Sequence, residues 1–148
     1  MQQATVLTDG LYFGEGPRWH GGRLWFSDFY DHAVKSMDAS GQVTVEHHLD
    51  DQPSGLGWLP DGSLVFLSDA SGFWNFWRWD TASAARPLHE HPYDFAGPAW
   101  TLARPNYVVL DAGRLGCTWL VDGVARLGVL DFAGSPTLTP LDSDAVEV

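Results

Sequence analysis

Several things are scarce in this sequence, and each shortage excludes a class of protein. There is one cysteine, Cys117, so the chain can hold neither an internal disulfide nor a thiolate metal cluster. There is one lysine, Lys35, and 8 basic residues stand against 19 acidic ones, for a formal net charge of −11. Such a balance repels phosphate backbones and anionic membrane surfaces, which argues against a nucleic-acid or membrane partner. No run approaches the roughly 18–20 apolar residues that cross a bilayer as a helix, and the first residues have no basic leader pattern. The expected setting is therefore cytoplasmic. Sustained 3.6-residue periodicity is missing as well, so almost no helix is expected.

What is present repeats. The stretch Gly14-Glu15-Gly16-Pro17-Arg18-Trp19, continued by Leu24-Trp25-Phe26-Ser27-Asp28, is echoed by Ser54-Gly55-Leu56-Gly57-Trp58 and Leu64-Val65-Phe66-Leu67-Ser68-Asp69. A third echo is Ala96-Gly97-Pro98-Ala99-Trp100 followed by Asn106-Tyr107-Val108-Val109-Leu110-Asp111. Trp19 and Trp58 lie 39 residues apart, and Trp58 and Trp100 lie 42 apart. A period near 40, built of short apolar strands and turns, is the mark of propeller blades. The expected fold is all-β. The whole chain, 1–148, forms one module of three four-stranded blades at about 11–48, 52–91 and 93–142, half of a six-bladed propeller.

Blade one is read as strands near 13–19, 23–28, 33–38 and 43–48, with turns at His20-Gly21-Gly22 and Ala39-Ser40-Gly41-Gln42. Blade two turns at Pro60-Asp61-Gly62 and continues as strands near 63–68, 73–80 and 85–88, where Pro87 is tolerable on an edge. Blade three is read as 97–102, then 107–110 together with 114–120, then 124–131 and 136–141. Within 1–10, Thr5–Leu7 is expected as a leading strand that completes a blade. The 8 tryptophans should mainly fill the wedges between blades, and Cys117 should be buried as a small apolar residue.

Propellers close with about four to eight blades, so three leave two apolar faces open. The expected remedy is a homodimer in which two half-rings meet twice with two-fold symmetry, a self-assembly that closes the ring.

The residues that could carry chemistry are few. Glu15 lies on an inner strand, where oxygen ligands converge on a propeller axis, and is the candidate metal ligand. Calcium takes six to eight oxygens, so one carboxylate needs help. His89 and His91 share a strand face, and His47-His48, His20 and His32 are further imidazoles, a conceivable zinc set against the plainer reading of solvated loops. Asp28, Asp69 and Asp111 recur after the second strand of each blade and are expected to accept hydrogen bonds from turn amides. No catalytic residue is assigned, and no cofactor is expected beyond calcium as a candidate.

Two resemblances bear on this. Residues 11–67, through Phe13-Gly14-Glu15-Gly16-Pro17-Arg18-Trp19-His20, Leu24–Asp28 and Gln52–Gly62, resemble the gluconolactonase/regucalcin-like (senescence marker protein) family. That resemblance implies a six-bladed propeller, a divalent cation (usually calcium) in its channel and hydrolysis of sugar lactones. Only Glu15 matches a metal ligand of that family. Residues 64–141, through Ser68–Asp80, Ala96–Trp100 and Asp122–Asp131, are similar to the propeller of prolyl-oligopeptidase-class serine peptidases, acylaminoacyl- and dipeptidyl-aminopeptidase-like. In those enzymes the propeller gates access and the Ser-Asp-His triad sits in a separate hydrolase domain. This chain contains no Gly-x-Ser-x-Gly elbow. The two resemblances meet near residues 61–69, which suggests a chimera of propeller fragments. The functional expectation is a non-catalytic module that folds by assembling a ring. The alternatives are a vestigial calcium-dependent lactonase using Glu15, and a sugar- or peptide-binding module using the loops Asp28–His32, Asp69–Phe73 and Asp94–Gly97.

Overall fold

Twelve short strands in chain order build three antiparallel sheets in the computed structural model, which describes residues 3–95 and 106–141. The first sheet is β1 (Gly14–His20), β2 (Arg23–Asp28), β3 (Ala33–Met37) and β4 (Val43–His48). The second is β5 (Pro53–Trp58), β6 (Leu64–Ser68), β7 (Asn75–Trp79) and the two-residue edge strand β8 (Arg86–Pro87). The third is β9 (Tyr107–Asp111), β10 (Arg114–Val121), β11 (Val124–Asp131) and β12 (Thr137–Pro140). Each sheet is a meander whose strands pair in sequence order. Consecutive left-handed residues, Gly21 and Gly22 (φ 57° and 77°) and Asp122 and Gly123 (φ 51° and 78°), make the tight two-residue hairpins whose twist suits the strands they join. The only helix among the described residues is a single 3-10 turn, Phe29–Asp31. The fold is thus all-β and forms part of a propeller.

β6 shows why the sheets stack. All five of its residues are buried, because the strand is covered on both faces. Leu64 and Phe66 point into a wedge shared with Val34 and Trp25 of blade one. Val65 and Leu67 point into a second wedge with Leu115, Cys117 and Trp119 of blade three. Tryptophans do fill these wedges, with Trp25, Trp58, Trp77 and Trp79 on one side of blade two and Trp74 and Trp119 on the other. Cys117 is 1 % exposed, and burial pushes its thiol up to about 12, so it packs as a small apolar residue.

Blade three differs from the sequence reading. Its first strand is Tyr107–Asp111, and residues 97–102 lie outside the described residues. Tyr107–Asp111 and Arg114–Val121 are two arms of one hairpin, reversed at Asp111-Ala112-Gly113, where the Gly113 amide donates to the Asp111 carboxylate at 2.9 Å. Asp111 therefore corresponds to Asp61, at the first hairpin of its blade, and not to Asp28 and Asp69.

The leading residues also behave differently. Residues 3–10 join no ladder, and every sheet already has four strands. Instead they form an arm across the face of blade one that is turned away from blade two. At one end of that face the Leu7 carbonyl presses on the β3–β4 turn, where a Cβ on Gly41 would stand 2.8 Å from the Leu7 oxygen. At the other end the Tyr12 and Phe13 amides donate to the Asp28 carboxylate at 3.1 and 2.7 Å. On the face between these anchors Phe26, Lys35 and Met37 are 5–6 % exposed. The Lys35 ammonium lies 2.7 Å from Asp28 and also pairs with Asp31. The corresponding outer face of blade three is bare, and Val108, Leu110, Leu120 and Leu127 are 43–58 % exposed there.

Candidate functional site

The first strands of blades one and two carry the same irregularity. The ladder slips between Glu15 and Arg18 in β1 and between Ser54 and Gly57 in β5. Gly16 (φ 59°) and Gly55 (φ 58°) occupy these slips in a left-handed conformation that favours glycine. A Cβ on Gly16 would lie 3.7 Å from the Gly55 nitrogen, so the two inner strands run close together here. The repeated glycine is the local reason that Glu15 and Ser54 face each other.

Glu15 is 7 % exposed, and its Oε1 has no hydrogen-bond partner. Burial pushes its carboxyl up, and the Ser54 hydroxyl counters this only in part. Among the described residues no three His, Cys, Asp or Glu side chains converge on a point. One carboxylate and one hydroxyl fall well short of the six to eight oxygens that calcium takes. The described residues of a single chain thus supply too few oxygens for a resident calcium ion at Glu15. The raised Glu15 carboxyl is a penalty that appears as pH rises through its folded pKa, because the ionised form is then buried without full hydrogen bonding. Glu15→Gln should therefore stabilise the fold at pH 8 by roughly 1 kcal/mol, and the gain should vanish toward pH 4. Thermal melts of both proteins across that range check this; a loss of stability at pH 8 would mean that the carboxylate has a partner.

Next to Glu15 is a cleft of about 210 Å³ lined by Arg18, Gly55–Gly57, Asn106, Tyr107 and Val109, to which all three blades contribute. The Tyr107 hydroxyl sits 2.9 Å from the Gly55 carbonyl and 2.8 Å from the Val65 carbonyl, donating its one proton between them. A Cβ on Gly57 would stand 2.7 Å from that hydroxyl, so glycine is required for the ring to pass. Burial pushes the phenol well above its ordinary value, with only the Arg18 charge opposing. Tyr107 is a pin between blades two and three.

The histidines do not assemble. His20 stacks on Trp58 (ring centroids 4.2 Å apart) and His47 on Trp79 (4.5 Å), which makes both of them wedge fillers. His32 places Nδ1 3.1 Å from the Asp50 carbonyl at the start of β3. His89 and His91 are adjacent, with ring centroids 4.1 Å apart. Burial lowers the pKa of both His47 and His91, with the neighbouring imidazoles His48 and His89 adding to the effect. The aspartates have separate fates. Asp28 receives amides from the arm, Asp111 receives its own turn amide, and Asp69 Oδ1 is buried without a partner. Sequence reasoning missed Asn75, which is fully buried. It accepts from the His91 amide at 2.9 Å and donates to the His91 and Phe73 carbonyls, tying the chain after β8 to β7. Its signal was the single polar residue at an inward position of the aromatic run Phe73–Trp79.

At one end of the sheets, Phe13, Phe29, Tyr30 and Trp74 form an aromatic ledge. Phe29 stacks on Trp74 (5.9 Å) and Tyr30 meets Phe13 edge-on (5.7 Å), which joins the loops Asp28–His32 and Asp69–Phe73. Tyr30 is 63 % exposed. Residues 96 and 97 of the third expected loop lie outside the described residues.

No family model and no curated protein matches the chain. Solved structures do. The chain is similar to a puromycin hydrolase over 91 % of its own length and 22 % of that chain, at 26 % identity and a TM-score of 0.74. TolB from Acinetobacter baumannii matches over 95 % of this chain and 36 % of its own, at 17 % identity and a TM-score of 0.64. A calcium-binding regucalcin from Agrobacterium tumefaciens matches over 92 % of this chain and 44 % of its own, at 19 % identity and a TM-score of 0.57. The chain thus spans less than half of each of these neighbours. These likenesses define a partial β-propeller, similar both to the peptidase propeller of the puromycin hydrolase and to the regucalcin and TolB propellers. Each runs over nearly the whole chain and is not confined to one half. Among the described residues no helix is long and apolar enough to cross a membrane.

Proposed function

We propose that the chain is a non-catalytic half-propeller that closes a six-bladed ring with a second copy of itself. The observation that carries this reading is the bare outer face of blade three, whose Val108, Leu110, Leu120 and Leu127 are 43–58 % exposed. In a closed propeller such a face is covered by the next blade. The chain also spans 44 % of the regucalcin chain, so two copies supply about the length of one such propeller. The single buried thiol suits a cytoplasmic setting. If folding and pairing are coupled, the melting temperature depends on protein concentration. It should rise by several degrees between low and high micromolar protein, and a melting temperature that does not move would argue for a self-sufficient monomer.

The aromatic ledge supports a second reading, a sugar- or peptide-binding role at Tyr30, Phe13 and Trp74. Apolar faces of sugars and aromatic or cationic peptide side chains stack on such rings, and the chain's negative charge favours cationic peptides. Titration with oligosaccharides and basic peptides should quench Trp74 fluorescence, and the quenching should be absent in Trp74→Phe. A flat response to both classes removes this reading.

A further inference from the structure

We infer that the contact which closes the ring is made by the N-terminal arm of one copy against the outer face of blade three of the other. This rests on the two-copy reading above and specifies its interface. The two ends of the three-blade array are not alike. The sheet of blade one is already covered by its own arm, and the arm cannot be lifted cheaply. Asp28 is fully buried, and its carboxylate is satisfied by the Tyr12 and Phe13 amides together with Lys35. Removing the arm would strip two donors from that carboxylate and expose Phe26 and Met37. The surface that blade one offers to a partner is therefore the outside of the arm, where Val6, Leu7 and Tyr12 are 81, 68 and 72 % exposed.

The other end fits it. On blade three, Val108, Leu110, Leu120 and Leu127 stand on the face opposite Leu115, Cys117 and Trp119, which pack on blade two. This face continues the series of blade interfaces already present in the chain. Four strands of four to eight residues make it up. At about 3.3 Å per residue and 4.8 Å between strands it covers roughly 400 Å². Two such contacts, each burying two surfaces, remove roughly 1,600 Å², which is the size of a stable interface. The arm thus acts as the seam between half-rings and not as an extra strand.

The test uses two charge variants of the full chain, Leu7→Lys on the arm and Leu127→Glu on blade three, followed by sedimentation. Both sites are exposed in one chain, so circular dichroism should show native β-structure in each. The wild type should sediment as a dimer and each variant as a monomer. An equimolar mixture should recover dimers, because one contact is then wild type on both sides and the other pairs a lysine with a glutamate. A wild type that is monomeric overturns the two-copy reading itself. A dimeric wild type with Leu127→Glu monomeric and Leu7→Lys still dimeric overturns the arm contact and leaves the ring standing. A Leu127→Glu dimer as stable as wild type overturns both, and points to copies joined by exchange of arms.

Discussion

Asp28→Ala is expected to cost the fold about 3–5 kcal/mol, the usual penalty for removing one partner of a buried ion pair. The carboxylate is the meeting point of three elements. It ends β2, accepts the Tyr12 and Phe13 amides that hold the arm down, and pairs with Lys35 of β3 at 2.7 Å. Burial alone would push its carboxyl up. The Lys35 hydrogen bond, the Phe13 and Tyr12 amides and the Lys35 charge outweigh burial and hold it below the usual carboxylate range. A depressed carboxyl contributes stability that is present above its unfolded pKa and lost as pH falls through its folded one. The difference between wild type and Asp28→Ala should therefore be full at pH 7 and shrink below about pH 4. Asp28→Asn keeps an acceptor for one amide and should recover part of the loss. Urea denaturation at both pH values measures this. A deficit that persists unchanged at pH 3 would mean that packing, not charge, carries the effect.

Phe76→Ala is expected to cost about 3–5 kcal/mol, a large share of the roughly 5–15 kcal/mol that holds a domain together. Phe76 is fully buried in the wedge between blades two and three, with Phe95 and Tyr107 at ring-centroid distances of 4.9 and 5.1 Å. Its loss leaves a cavity where three aromatic rings met, and the laddered strands β7 and β9, which carry Phe76 and Tyr107, resist closing it. Chemical denaturation should show a lower midpoint with an unchanged slope. A change below 1 kcal/mol would indicate that blade three contributes little to holding blade two.

Much of this architecture was legible in the sequence because the physics that builds it is local. Gly21-Gly22 and Asp122-Gly123 specify tight hairpins on their own, and the uninterrupted apolar run Leu64–Leu67 announces a strand covered on both faces. The parts that were not legible depend on tertiary contacts. Thr5–Leu7 has the composition of a strand, but each sheet already holds four strands without it, and the segment is tied down by a distant carboxylate, Asp28. In blade three the turn Asp111-Ala112-Gly113 was visible, yet nothing local says whether the strand before it opens the blade or continues it. The site was legible only as an isolated residue. Glu15 lies buried on the first strand of its blade, and whether other oxygens join it depends on strands far away in sequence. The described ones bring the Ser54 hydroxyl to Glu15 and no cluster of three ligand-type side chains.

On the proposed reading, three blades are half of the folded object. Light scattering on a sizing column, with the unmodified chain at micromolar concentration, tests it most directly. A two-copy ring should give a particle of twice the 16.3 kDa chain mass. A folded particle of one chain mass, with native β-structure and cooperative unfolding, would contradict it, because the bare face of blade three would then be stable in water without a partner.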